Sequence, residues 1–542
     1  MGVTEMFSGL PSAVGGLLRN TTAAALIAGA FVLGTPVSAD TLRVVMHSAL
    51  RVLDPIMTTA YMSRNHGYMI YDTLFALDSE MRPQPQMVDS WTVSDDGLVY
   101  TFTLRDGLVF HDGAPVTGED VAASIARWGE RDPMGQLLMR QVAEMGQGDA
   151  ANVFVITLSA PYGLVIDSLA KPSSNVPFIM PARIAANTPS TEAVEEQIGS
   201  GPFRWVAEEF QPGVIAVYDR FDGYVPRSEP PSWASGGKVV EVDRVEWIVM
   251  PDQQTTLNAL LSEEIDYWED APADLMPILQ ANPDIEVANL NLLGYQTIVR
   301  PNVLHPPFDD VRIRRAAIAS ISQQDVMDAM IGNPDLYMLC GAMFICGTPL
   351  ESDVGSETLV QGNGQELARQ LLAEAGYDGT PVVLMHPTDV STLRTQPVVV
   401  AQAMRDVGFN VDLQAMDWQT LVGRRANQAP PSEGGWNMFI TNWVGADVFN
   451  PVVNNMVGGQ GPNGGWFGWP EDAPLEALRT AYTVAPTLEE QQQLAAQIQA
   501  HVYEQGYYAP MGQYFVFTAW SDALDGVLEG PAPFFWNIRR VE

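Results

Sequence analysis

The feature that most constrains the fold of this chain is an alternation of short apolar segments and helix-like segments after Asp378. Segments 382–385, 411–413 and 439–443 are typical of buried strands, and segment 397–407 has the periodicity of an amphipathic helix. Alternating strands and helices are characteristic of α/β domains. The second half of the chain is therefore predicted to be an α/β unit.

The chain before Asp378 mixes strands and helices less regularly. A hairpin is predicted over 98–110, where apolar and polar residues alternate and Asp106-Gly107 would form the turn. A helix is predicted to begin near Thr117, and another at Thr487, where Thr487 and Glu490 form a capping box. Other predicted strands cover 41–46, 153–158, 214–218 and 245–250, and other predicted helices cover 254–262 and 311–321. A chain of 542 residues exceeds one core, and at roughly 150 residues per domain it suggests about three domains.

The first 39 residues are typical of an export signal. Arg19 supplies a positive charge, residues 23–33 form an apolar run, and Val37-Ser38-Ala39 has the small residues of a cleavage site. The apolar run is shorter than the ~20 residues that span a bilayer. No cysteine follows the predicted cut, so we expect no lipid anchor. The sequence predicts a periplasmic protein that is exported, cleaved near Ala39 and not a lipoprotein.

Net charge limits the partners of this chain. The formal charge is −37, and the acidic residues are spread along the chain. Nucleic acid and anionic membrane surfaces would be repelled by that field, so neither is an expected partner.

The chain has two cysteines, Cys340 and Cys346, which are close in sequence. In an oxidising compartment this spacing favours a small local disulfide. The alternative is a pair of free buried thiols. A metal site would need more ligands than the pair offers.

Motifs for catalysis and cofactor binding are not found. Residues 459–464 have the letters of a dinucleotide fingerprint but lack a strand before them and a helix after them. The six histidines are scattered, without a second ligand at metal-binding spacing. We expect no catalytic residues, no metal and no cofactor, and hence no enzyme.

One carboxylate lies in an otherwise uncharged stretch, WVGADVFNP, which contains Asp447. No Lys or Arg occurs between Arg425 and Arg479. A buried carboxylate is normally paired, so its partner could be a ligand. The alternative is that Asp447 caps a helix or accepts from loop amides.

Residues 71–124 resemble the signature region of the family 5 extracellular solute-binding proteins, the dipeptide/oligopeptide-binding proteins of ABC importers. The matching motifs include Asp89-Ser90-Trp91 and Phe110-His111-Asp112-Gly113, with later blocks at 199–203 and 307–314. The resemblance implies an α/β, two-lobed periplasmic binding protein fold, type II and cluster C-like, with an extra subdomain in lobe I. The implied boundaries are 40–75, 200–297 and 509–542 for lobe I, 76–199 for its subdomain, and 298–508 for lobe II.

The resemblance also implies a binding site. Family members anchor the amine of a peptide on an aspartate that follows a tryptophan, and Trp443 with Asp447 is similar to that segment. Here one extra residue separates the two, Val448 replaces an aromatic residue, and Asn450 replaces a second acid. The implied roles of the other residues are stacking on the solute for Trp418, binding of its carboxylate for Arg425 or Arg424, closure over the pocket for Trp466 and Trp469, and backbone contacts for His47, Ser48 and Ala49.

The function implied is capture of a peptide or peptide-like solute between two lobes, and its delivery to an ABC permease and its ATPase. The protein would act as a monomer in solution. The alternative within the class is a non-peptide solute such as an opine, a glycoside or a nickel chelate. Two other classes, an exported hydrolase and a chaperone, predict turnover of peptides and broad binding to unfolded chains.

Overall fold

Two mixed β-sheets form the frame of the molecule, which we describe from a computed structural model over residues 40–541. The first sheet has seven strands, in spatial order Phe203–Trp205, Ile215–Arg220, Arg244–Ile248, Thr41–Val45, Tyr267–Ala271, Phe517–Ser521 and Ile285–Ala288. The central strand Thr41–Val45 runs parallel to both of its neighbours, and the other pairs are antiparallel.

The second sheet has six strands, in spatial order Tyr337–Met338, Ala509–Tyr514, Tyr295–Pro301, Met438–Val444, Val382–Pro387 and Val411–Met416. Strand Val382–Pro387 is parallel to both neighbours, as expected for the alternating segment after Asp378. The helix Gln396–Val407 connects it to Val411–Met416. The chain passes between the two sheets through 289–294 and again through 515–516.

A smaller sheet of four antiparallel strands is built from the region that follows the first strand. Its strands are Val88–Val93, Val99–Leu104, Val153–Leu158 and Val142–Gln147. Three two-stranded ladders pair Asp72–Thr73 with Phe178–Ile179, Phe75–Leu77 with Pro83–Pro85, and Leu524–Asp525 with Arg539–Arg540.

Fifteen α-helices cover the sheets within residues 40–541. They are Tyr61–Ile70, Gly118–Arg131, Pro133–Met139, Val165–Leu169, Ala182–Ala185, Gln253–Leu261, Met276–Gln280, Val311–Ala319, Gln323–Met330, Glu357–Gln361, Gln365–Ala375, Gln396–Val407, Trp418–Arg424, Ala473–Tyr482 and Leu488–Gln505. No helix within the described range is both long and apolar enough to cross a membrane.

Local capping signals set several helix starts, as predicted. The Thr117 hydroxyl accepts a hydrogen bond from the Asp120 amide, and the Asp120 carboxylate accepts one from the Thr117 amide. This helix therefore begins with a complete capping box. Thr487 caps the helix Leu488–Gln505 through the Glu490 amide, but within residues 40–541 the Glu490 side chain does not return the bond, so only half of the predicted capping box forms. The helices and strands predicted elsewhere are present, with ends shifted by a few residues.

The predicted hairpin over 98–110 is wrong. Strand Val99–Leu104 pairs with Val88–Val93 on one side and Val153–Leu158 on the other. The turn that precedes it lies at Asp95–Gly97, where Gly97 has a φ of 72°, a conformation that suits glycine. Residues 108–110 lie outside the sheet because long-range pairing outcompetes the local turn signal.

The disulfide prediction is confirmed: Cys340 and Cys346 are bonded. The segment between them is buried, with Met343, Phe344 and Ile345 packed in the core of the second sheet. The predicted export signal lies outside the described residues.

Candidate functional site

A cavity of about 70 Å³ lies between the two sheets, and we call it the central cavity. On one side it is lined by His47, just after strand Thr41–Val45, and by Glu269 and Asp270 of strand Tyr267–Ala271. On the other side it is lined by residues of the second sheet, by the loop around Thr392 and by Trp418 and Arg425. The two walls therefore come from different sheets, so a molecule inside would contact both.

The first-sheet wall carries an ion pair and a separate acid. The Glu269 carboxylate accepts from the His47 amide at 2.8 Å and lies 2.8 Å from His47 Nδ1. Burial alone lowers the pKa of His47, but Glu269 outweighs it and the net shift is upward. The pKa of Glu269 is lowered: burial opposes this, and His47 overcomes it. Both shifts favour the charged forms of this pair, and Asp270 follows Glu269 in the same strand.

The wall opposite carries Arg425, directly after the helix Trp418–Arg424. Its side chain is 2% exposed, and its Nη2 donates to the hydroxyls of Thr58 at 3.4 Å and Thr59 at 3.2 Å. Its Nε has no hydrogen-bond partner within residues 40–541. Burial lowers the pKa of Arg425 to about 9, so the guanidinium stays charged at neutral pH.

Aromatic side chains complete the cavity. Trp418 is the first residue of its helix, which Asp417 caps through the Thr420 amide. The Arg425 guanidinium lies 5.8 Å from the Trp418 ring centroid. The Trp443 ring is 2% exposed, and its Nε1 has no partner in the described part of the chain. These rings give the cavity apolar faces with a few polar groups among them, as is typical of ligand sites.

Asp447 is placed behind this cavity rather than in its lining. Its carboxylate accepts from the hydroxyls of Tyr61 at 2.9 Å, Ser173 at 3.0 Å and Ser174 at 2.8 Å, and the residue is fully buried. Burial raises the pKa of Asp447, and Lys171, Arg64 and these hydroxyls only partly offset it. Tyr61 lies between Asp447 and the cavity. Protein hydroxyls therefore satisfy this carboxylate. In the described residues Asp447 neither caps a helix nor accepts from loop amides.

Three other predicted site residues line neighbouring cavities and not the central one. Trp466 contacts Trp443 at 5.2 Å between ring centroids, and together with Trp469 it lines a neighbouring cavity of about 240 Å³. The Ser48 hydroxyl accepts from Gln419 Nε2 at 3.2 Å and borders a different, small cavity. Of the predicted ligand residues, the structure brings together His47, Trp418, Arg425 and Trp443. Arg424 instead donates to the Gly434 and Gly435 carbonyls.

Sequence reasoning missed Glu269 and Asp270. They form an adjacent pair of acids at the end of a strand that is otherwise apolar, YWEDA. That pairing is the signal that could have found them, because two consecutive acids in a buried strand need partners.

A third cavity, of about 260 Å³, adjoins the central cavity, and we call it the outer cavity. The two share Asp270, Thr392 and Val516 in their linings. The space between the sheets therefore continues past Asp270.

Comparisons with known proteins identify the family. Residues 82–465 match the model described as bacterial extracellular solute-binding proteins, family 5 middle. The chain is 39% identical over 513 residues to a probable peptide ABC transporter periplasmic-binding protein of Sinorhizobium fredii, which covers 94% of this chain and 95% of that protein. The chain belongs to family 5 of the bacterial extracellular solute-binding proteins. The family membership that the sequence motifs indicated is confirmed.

Solved structures of this family 5 protein's relatives show the same fold. A periplasmic binding protein of A. tumefaciens R10 in complex with agropinic acid has a TM-score of 0.76 at 20% identity, over 93% of this chain and 99% of that one. A dipeptide binding protein of Pseudoalteromonas in complex with Met-Leu has a TM-score of 0.74 at 18% identity, over 92% and 100%. The fold is the two-lobed α/β fold of periplasmic binding proteins, as predicted.

Proposed function

We propose that this family 5 protein is the solute-binding component of an ABC importer, which captures a peptide or peptide-like solute in the central cavity and delivers it to a permease and its ATPase. The Sinorhizobium fredii relative, a probable peptide ABC transporter periplasmic-binding protein, supports a peptide as the solute because it aligns over 94% of this chain. The observation that carries the proposal is the central cavity with walls from both sheets.

Capture would follow from this placement. A solute that contacts both walls is bound fully only when the sheets approach each other, so binding favours the closed form. The permease would then distinguish loaded from empty protein by its shape. We propose that His47, Trp418, Arg425 and Trp443 contact the solute, because all four line the central cavity.

The sequence predicts lobe I at 40–75, 200–297 and 509–542 with its subdomain at 76–199, and lobe II at 298–508. Because strands Tyr295–Pro301 and Ala509–Tyr514 pair within the second sheet, we propose that the two crossings between the lobes lie at 289–294 and 515–516. We propose export to the periplasm with cleavage near Ala39, action as a monomer, and binding without chemical change to the solute.

A non-peptide solute is the second candidate, and the fold shared with the agropinic acid complex favours it. The same cavity would then hold an opine-like molecule. Both candidates require one saturable site per chain, so the identity of the solute separates them.

Mass spectrometry of the protein isolated gently from its own cells tests this function. We expect one small solute per chain, released unchanged on denaturation, and calorimetric binding of the same compound to the stripped protein. A protein that retains nothing and binds neither dipeptides nor agropinic acid would contradict the proposal, as would turnover of the solute.

A further inference from the structure

Asp270 is a carboxylate without a protein partner at the junction of the central and outer cavities. It is partly buried, and within residues 40–541 its side chain makes no hydrogen bond or ion pair. The neighbouring acid, Glu269, is already paired with His47. Asp270 is therefore the free negative charge on the first-sheet wall, facing the space between the sheets.

Arg425 is the matching positive charge on the opposite wall. Several other buried cations of this protein have carboxylate partners: Arg127 pairs with Asp54, Lys171 with Asp132 and Lys238 with Asp72. Buried Arg300 has no carboxylate but donates to three backbone carbonyls. Arg425 has no carboxylate partner in the described residues: its guanidinium donates to two hydroxyls and lies over the Phe467 and Trp418 rings, and its Nε has no hydrogen-bond partner there. A buried cation without a counter-ion is costly, which points to an anionic group supplied from the cavity.

Asp447 does not meet the requirements for a ligand anchor in this arrangement. Three hydroxyls occupy its carboxylate, and Tyr61 separates it from the cavity. Asp270, in contrast, lines the cavity directly. A cationic group of a solute in this space meets Asp270 first.

The volumes of the central and outer cavities limit the size of a solute that contacts both Asp270 and Arg425. The central cavity holds about 70 Å³, less than the roughly 150 Å³ that accommodates a benzene molecule in a protein interior. Only a short part of a solute fits there. Any longer part would pass Asp270 into the outer cavity of about 260 Å³.

We propose that Asp270 binds the ammonium group of a short zwitterionic solute, of amino-acid to dipeptide size, whose carboxylate pairs with Arg425. This assignment rests on the proposed solute-binding function and names the solute class and its anchors. Charge-assisted hydrogen bonds at both ends would fix the solute's direction across the cavity. Trp443, whose Nε1 is buried and unpartnered in the described chain, would supply a further donor.

The test uses calorimetry with the full mature chain and a defined panel: dipeptides including Met-Leu, their N-acetylated and C-amidated forms, and agropinic acid. We expect at least one free dipeptide to bind. Acetylation of its amine and the substitution Asp270→Asn should each weaken binding by at least about 30-fold. In Asp270→Asn, acetylation should have little additional effect, because the two changes remove the same contact.

Two matched variants make the test specific. Asp284→Asn changes an exposed acid beside strand Ile285–Ala288 of the same sheet and should bind like the wild type. Asp447→Asn should leave the preference for a free amine intact. If Asp270→Asn binds like the wild type, or Asp447→Asn alone abolishes that preference, the assignment is overturned.

The outcomes also separate this inference from the function on which it rests. If agropinic acid binds and no zwitterionic probe does, the solute-binding role stands and the inference falls. If no probe binds at all, both fall.

Discussion

Replacing Arg425 by methionine is expected to make the solute-free protein more stable while removing its affinity for solute. The pKa of Arg425 drops from 12.5 to about 9 on burial, which corresponds to about 5 kcal/mol of disfavoured charge. Two long hydrogen bonds to Thr58 and Thr59 offset roughly 1 kcal/mol each. Methionine keeps most of the apolar stem, so we expect the free energy of unfolding to rise by about 1–3 kcal/mol.

Arg300→Met is the matched control. Arg300 is also fully buried with its pKa lowered to about 9, but its guanidinium donates to the carbonyls of Phe467, Met456 and Tyr507. The free-energy cost of burying the charged guanidinium is about the same at both positions, so it cancels when the two variants are compared. Since three carbonyls lose a donor, Arg300→Met should be at least about 2 kcal/mol less stable than Arg425→Met.

Urea denaturation of the stripped proteins, followed by tryptophan fluorescence and by circular dichroism, measures this difference. The two probes must coincide for a single free energy to be defined. Both arginine pKa values, folded and unfolded, lie above 8, so the stability gain of Arg425→Met should be constant between about pH 6 and 8. A loss of more than about 2 kcal/mol in Arg425→Met relative to the wild type would contradict this prediction, because the guanidinium would then be a structural partner.

Two further predictions concern other buried charges. Burial raises the pKa of Asp270 to about 6. Affinity for a zwitterion should therefore fall below pH 6, by up to about tenfold per pH unit, as the carboxylate protonates. Calorimetry at pH 5 and 7 checks this, and the same loss of affinity between these pH values in Asp270→Asn would contradict it. Lys171→Met leaves Asp132 buried without its cation and should lower the free energy of unfolding by about 3–5 kcal/mol in urea; a loss under about 1 kcal/mol would refute a structural role for that pair.

Local signals were sufficient for most of the elements. The helix start near Thr117 and the apolar segments after Asp378 depend on residues a few positions apart, so the sequence alone predicts them. The hairpin over 98–110 was wrong because strand pairing is decided by residues far apart, here Val88–Val93 and Val153–Leu158. A local turn signal cannot rank such competing partners.

The site was predictable in part from the family resemblance. Trp418, Arg425 and His47, which the resemblance implied as ligand residues, line the cavity. The environment of Asp447 was not predictable, because Tyr61, Ser173 and Ser174 come from segments hundreds of residues away. The consecutive acids Glu269 and Asp270 were a signal in the sequence, but only the folded structure decides that His47 pairs with Glu269 and leaves Asp270 without a partner.

A crystal structure of the protein with a zwitterionic dipeptide bound would show which side chains hold the solute. We expect the solute between the two sheets, with its ammonium within about 3 Å of the Asp270 carboxylate and its carboxylate in contact with Arg425. A solute bound outside the central cavity, or one whose ammonium contacts Asp447 while Asp270 stays free, would contradict it.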